Sequence, residues 1–165
     1  MIDRAESLED FTAVEGLMRA LRALDESESA KFGVLPEAVA VYYTNRTAET
    51  LAARFRKPEA AMFVLREAGA ITGCGGLVEE SPGIAELRHV FLDPLSRGKG
   101  QGAALVARLI DEARARGCRE VRLETAVFLT AAIALYHRLG FAEVAPFAPV
   151  PAGLEDMSVF MTLPL

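Results

Sequence analysis

His89-Val90-Phe91-Leu92-Asp93-Pro94-Leu95-Ser96-Arg97-Gly98-Lys99-Gly100-Gln101-Gly102-Ala103 passes from an apolar run, through a glycine-rich turn, into a segment of helical period. Upstream, Ala85 to Leu92 has the short apolar character of a strand. Downstream from Ala103, Leu105, Val106, Leu109, Ile110 and Ala113 share one helical face, and Gly117 suits the C′ position. Val121 to Thr125 is the next strand. A strand, helix, strand order places the two strands parallel and side by side through a crossover.

The rest of the chain extends this unit in both directions. Met62 to Arg66 and Ile71 to Val78 read as strands, with turns at Glu67-Ala68-Gly69 and Ser81-Pro82-Gly83, so an antiparallel meander leads into the crossover. A helix over Ala131 to Leu139 stops at Gly140. Phe141 to Val144 and Ser158 to Leu163 follow as strands around a loop with Pro146, Pro149 and Pro151. At the other end Leu8, Phe11, Val14, Leu17, Met18, Leu21 and Leu24 form an amphipathic stripe that Ser7 is placed to cap. Asp25 to Phe32 reads as a polar loop, Leu35 to Tyr43 as either helix or extended chain, and Ala48 to Arg56 as a short helix ended by Pro58.

Composition narrows the function classes. The 165 residues are 52% hydrophobic and 25% charged, the balance of one well-cored domain over 1–165. A net charge of −5 and no stripe of Lys and Arg argue against nucleic acid. Cys74 and Cys118, without CxxC spacing, indicate neither a disulfide framework nor a zinc site, and His89 and His137 lack partners at ligand or triad spacing, so no metal is expected. The absence of an apolar leader or of an apolar run near 20 residues points to a cytoplasmic protein without membrane contact.

The glycine-rich turn is where ligand chemistry enters. Glycines admit positive φ and close backbone approach, and successive N–H groups opening a helix attract an anion. A pyrophosphate fits such a nest; a tight turn with no ligand is the plainer alternative. The spacing matches neither the nucleoside triphosphate loop G-x-x-x-x-G-K-S/T nor the dinucleotide G-x-G-x-x-G.

Arg97, Gly100 and Gly102 do match Arg/Gln-x-x-Gly-x-Gly/Ala, and the stretch resembles the GNAT superfamily of N-acetyltransferases. Ala131-Ala132-Ile133-Ala134-Leu135-Tyr136-His137-Arg138-Leu139-Gly140-Phe141 is similar to a second signature of that family, A-x-x-L-Y-x-x-x-G-F, in the right order. The resemblance covers roughly residues 60 to 165. It implies an α+β fold: a twisted, mostly antiparallel sheet of six to seven strands with one splayed parallel pair, flanked by about four helices. It also implies acetyl-CoA as cofactor. The pyrophosphate would lie on Gly98, Lys99, Gly100, Gln101, Gly102 and Ala103 with Arg97 beside them, and the acetyl and pantetheine groups along Val90, Phe91 and Leu92. Leu129 stands where the family often carries an asparagine that contacts the cofactor.

Transfer from a thioester to an amine needs a base for the amine, a donor to the carbonyl and an acid for the departing thiolate. By resemblance the acid is Tyr136, which is otherwise a core tyrosine, and the carbonyl donor is the Val90 N–H. Glu86, four residues before Val90 on its strand, where several members of the family carry a catalytic glutamate, is the first candidate for the base and is otherwise a solvated carboxylate; Glu124 is the second. Direct transfer to a primary amine of a small molecule or peptide is expected, the alternative being a non-catalytic acyl-CoA-binding or interaction module. The acceptor pocket is expected to form from the loop Asp25 to Gly33, the region of Tyr42 and Tyr43, and the loop Ala145 to Asp156. Asp25, Glu26, Glu28, Glu155 and Asp156 there either attract a cationic amine or simply solvate the surface. The family also commonly dimerises through its C-terminal strand.

Overall fold

Residues 60–65 have no solvent face: Ala60, Met62 and Val64 are as buried as Ala61, Phe63 and Leu65. A strand of this kind must be covered on both sides. The computed structural model, which describes residues 1–165, shows how. The elements run β1 (Ile2–Arg4), α1 (Leu8–Ala30), α2 (Pro36–Ala40), α3 (Ala48–Phe55), β2 (Ala60–Glu67), β3 (Ala70–Ser81) and β4 (Ile84–Leu92). They continue with α4 (Gln101–Ala115), β5 (Glu120–Ala126), α5 (Thr130–Arg138), β6 (Ala142–Val144) and β7 (Ser158–Pro164).

The strands form one seven-stranded sheet in the order β1-β2-β3-β4-β5-β7-β6. Every neighbouring pair is antiparallel except β4 and β5, which α4 connects. On one face Ala61, Phe63 and Leu65 join Leu105, Leu109 and Ile110 of α4 and Tyr136 of α5. On the other Ala60, Met62 and Val64 join Phe11, Val14 and Met18 of α1 and Leu51 and Phe55 of α3. The anticipated α+β architecture and its single parallel pair are therefore present, with five α-helices rather than about four.

One difference comes from a polar helix face. Asp25 to Phe32 is not a loop: α1 continues through Ala30. Its polar residues are satisfied within the helix or turned inward, with Arg22 and Glu26 paired one turn apart at 2.7 Å and Ser29 only 3% exposed. Leu35 to Tyr43 resolves into α2, with Pro36 in its first turn, and a 3₁₀ turn over Val41–Tyr43. Ser7 does cap α1: its side chain accepts from Asp10 N at 3.0 Å while Asp10 accepts from Ser7 N at 3.1 Å. β1, unanticipated, is three residues with no alternation to read and pairs with the edge of β2.

Candidate active site

β4 and β5 begin as partners and then part. Their ladder holds Ile84, Ala85 and Glu86 against Glu120, Val121 and Arg122, and no pairing follows, although both strands run on to Leu92 and Ala126. Beyond Glu86 the edge of β4 that faces β5 thus has no strand partner, which leaves polar backbone available to a ligand. A bulge opposite Gly75 on β3 deepens the gap. There His89 adopts φ 57°, a strained value for a residue with a Cβ. Gly76 makes room for it: a Cβ at that position would lie 2.6 Å from the Phe55 ring and 3.1 Å from the Arg88 carbonyl oxygen. The His89 ring packs edge-on against Phe55, with centroids 5.6 Å apart. Burial, with Arg46 and Arg88 nearby, pushes its imidazole down to about 3, so it is neutral.

At the end of β4 the glycine-rich turn enters α4 with its N–H groups free. Gly100 is the N-cap at φ 76° and no side chain caps the helix; the first backbone bond of this turn runs from Ala104 N to Gly100 O. Such an end is an anion site. Gly98 and Gly100 have open space where a Cβ would project. The turn is held by a residue that the sequence motifs do not contain, Glu67 at the end of β2. Its carboxylate accepts from Ser96 Oγ, from Gln101 Nε2 at 2.8 Å and from Thr72 Oγ1 at 2.9 Å, and Lys99 lies 3.6 Å away. These hydrogen bonds, that of Ser96 foremost, hold the Glu67 carboxyl down at about 2. Arg97 donates to Leu92 O at 3.1 Å and stacks over the Phe91 ring. Phe91 itself is buried against the α1 and α3 side, so only its backbone faces the gap.

The gap widens into a cavity of 230 Å³ between α1, the 3₁₀ turn, the parted strands and α5. Tyr136, Val90, Glu86, Glu124 and Leu129 all line it. Tyr136 is 5% exposed, packs edge-on to Phe141, and burial alone pushes its phenol up to about 12. Glu86 is engaged at both oxygens, by Arg88 Nη2 at 3.1 Å and Arg122 Nε at 3.2 Å. Glu124 differs. It receives Tyr42 O–H at 2.7 Å and Ser158 O–H at 2.8 Å on the same oxygen, Oε1, and no cation pairs with it.

Residues 21–141 match the model of the acetyltransferase (GNAT) family. The chain belongs to that family. It is 39% identical over 110 residues to the IAA acetyltransferase of Azospirillum brasilense, covering 66% of this chain and 71% of that protein. Over 84 residues it is also 39% identical to the [ribosomal protein bS18]-alanine N-acetyltransferase of Escherichia coli, covering 49% of this chain and 56% of the relative. The PaiA N-acetyltransferase of Thermoplasma acidophilum, solved in complex with coenzyme A, shares the fold at a TM-score of 0.76 and 16% identity, covering 100% and 99% of the two chains. The protein is thus an N-acetyltransferase of the GNAT family. None of its helices is long and apolar enough to cross a membrane.

On the acceptor side of the acetyltransferase, few of the expected acids face the cavity. Glu26 and Glu28 pair with Arg22 and Lys31 at the surface, and Glu155 accepts from Gly153 N at 2.8 Å. Asp25 does line the cavity, as do Tyr42 and Tyr43, but it projects from a helix rather than a loop. Both cysteines are buried free thiols, Cys74 raised to about 12 by burial.

Asp25 carries a testable cost. Tyr43 O–H donates to it, yet burial dominates and raises its carboxyl from 3.8 to about 6. Between those values the folded protein holds a proton that the unfolded chain has released, so stability falls as pH rises through about 6. A shift of about two units corresponds to at most about 3 kcal/mol, present above that pH. Asp25→Asn is therefore expected to be more stable than the parent in urea titrations at pH 8 and nearly equal to it at pH 4. Parallel pH profiles for the two proteins would refute the burial cost.

Proposed function

We propose that this acetyltransferase passes an acetyl group directly to a primary amine of a small molecule or peptide, within the cavity between the parted strands. The observation that carries the proposal is the convergence of an isolated buried phenol, Tyr136, and a carboxylate without a cation, Glu124, on one cavity beside the unpartnered edge of β4. The uncapped start of α4, with Gly98 to Ala103, binds the pyrophosphate of acetyl-CoA, and Val90 and Leu92 offer backbone groups to its acyl arm. Bound there, acetyl-CoA supplies an activated thioester.

The chain's own residues divide the remaining work. Glu124 takes the proton of the incoming ammonium, directly or through a water, and its unengaged Oε2 is the accepting atom. Glu86 is the alternative base, but both of its oxygens already hold guanidinium groups. The Val90 N–H donates to the carbonyl oxygen as charge gathers on it. Tyr136, kept protonated by burial, gives its proton to the departing thiolate. Cys74 and Cys118 take no part, because buried protonated thiols are poor nucleophiles.

Thermal melting with acetyl-CoA, and with ATP and NADH for comparison, tests the cofactor without a known acceptor. A ligand at 1,000 times its dissociation constant stabilises by about 4 kcal/mol, or roughly 10 °C for a domain of this size. A shift of that order with acetyl-CoA alone is expected. A flat response, or an equal shift with ATP, would overturn the assignment of the α4 loop.

A further inference from the structure

Buried polar atoms without a partner are scarce in a folded protein and ask for an explanation. Four side-chain atoms of this kind occur here: Asp25 Oδ1, Arg46 Nε, Arg88 Nε and Gln101 Oε1. The first three belong to residues that line the cavity. Arg46 is the least compensated. Its Nη2 donates to Tyr42 O at 3.0 Å, but no carboxylate lies within salt-bridge distance, and Arg88 repels it from the neighbouring strand. Arg88 is already neutralised by Glu80 and Glu86, each at 3.1 Å, and Glu86 by Arg88 and Arg122. Arg46 then keeps a cation without a counter-ion, while Glu124 and, above about pH 6, Asp25 keep anions that no cation pairs with. Asp25 is held by Tyr43 and stands outside salt-bridge distance of both arginines.

A half-buried guanidinium without a counter-ion is costly unless a ligand completes it. Taking the acyl-transfer assignment above as given, we propose that the acceptor is a small free amino acid, its amine directed to Glu124 and Tyr136 and its carboxylate held by Arg46. The guanidinium fork suits a carboxylate. The cavity is also lined by Leu21, Val39, Phe128, Leu154 and Met157, which favours an acceptor with an apolar side chain. This specificity differs from the surface-acid expectation of a purely cationic amine: the lining offers a charge to each end of a zwitterion.

The test compares matched acceptors. Thiol release from acetyl-CoA is measured with L-leucine, L-leucinamide and isopentylamine, and with the corresponding methionine and phenylalanine sets, for the parent and for Arg46→Gln. The parent is expected to favour the free amino acid over its amide by about tenfold or more in kcat/KM, as loss of a charge-assisted contact implies. In Arg46→Gln that ratio should fall toward one. A binding arm needs neither turnover nor the variant: N-acetyl-L-leucine should raise the melting temperature of the parent where N-acetyl-L-leucinamide does not. Amides or plain amines that serve as well as the acids would overturn the carboxylate subsite while leaving acetyl transfer intact. Absence of any acetyl-CoA melting shift would instead remove the acyl-transfer assignment itself.

Discussion

Tyr136→Phe is expected to lower kcat by about 100-fold or more, the usual contribution of a positioned acid, while acetyl-CoA still raises the melting temperature. The phenol is 5% exposed and is raised by burial alone, so no neighbouring charge competes for its proton. Removing one oxygen leaves the ring packed on Phe141 and the α4 side of the core. A fall in turnover without a fall in cofactor binding would therefore report lost chemistry rather than lost structure. Unchanged turnover would exclude Tyr136 as the acid and leave it the role of a core tyrosine.

Phe55→Ala should have the largest effect on stability. Its ring is 2% exposed and fills the space that Gly76 leaves open, with His89 packed edge-on against it. Truncating a buried phenylalanine costs about 3–5 kcal/mol, here with the bulge of β4 losing its support as well. A fall in melting temperature of about 10 °C follows for a protein of this length. Urea titration gives the free energy, and a loss below about 1 kcal/mol would mean that α3 closes onto Gly76 and that the bulge is held by other contacts.

These residues also mark where the chain could be read in advance and where it could not. The strand, glycine turn and helix around Gly98 to Ala103 were legible because each signal is local: apolar runs, positive-φ glycines and a helical stripe occupy neighbouring positions. The same holds for Tyr136, which sits at a recognisable place in α5. Asp25 to Phe32 misled because polar residues resemble a loop when the surface they face is unknown. In α1 several of them pair along the helix, and Asp25 and Ser29 face the cavity.

Glu67 and Arg46 had no local signal. Glu67 lies in a turn-like Glu-Ala-Gly, and only the pairing of β2 with β3 carries it beside Ser96 and Gln101. Arg46 lies in a polar stretch before α3, and nothing near it in the chain distinguishes it from a solvated arginine. The choice between Glu86 and Glu124 was open for the same reason. Their difference is which guanidinium groups arrive from other strands, Arg122 at Glu86 and none at Glu124.

Local signals, with the family resemblance of the two motifs, were enough for the family, the mixed sheet and the glycine-rich turn, since backbone conformation and side-chain period depend on adjacent residues. Which carboxylate keeps a free oxygen, which arginine lacks a counter-ion and how Glu67 clasps the turn were decided only when the sheet assembled. Charge compensation and burial are properties of neighbours in space, and those neighbours come from helices and strands far apart in the chain.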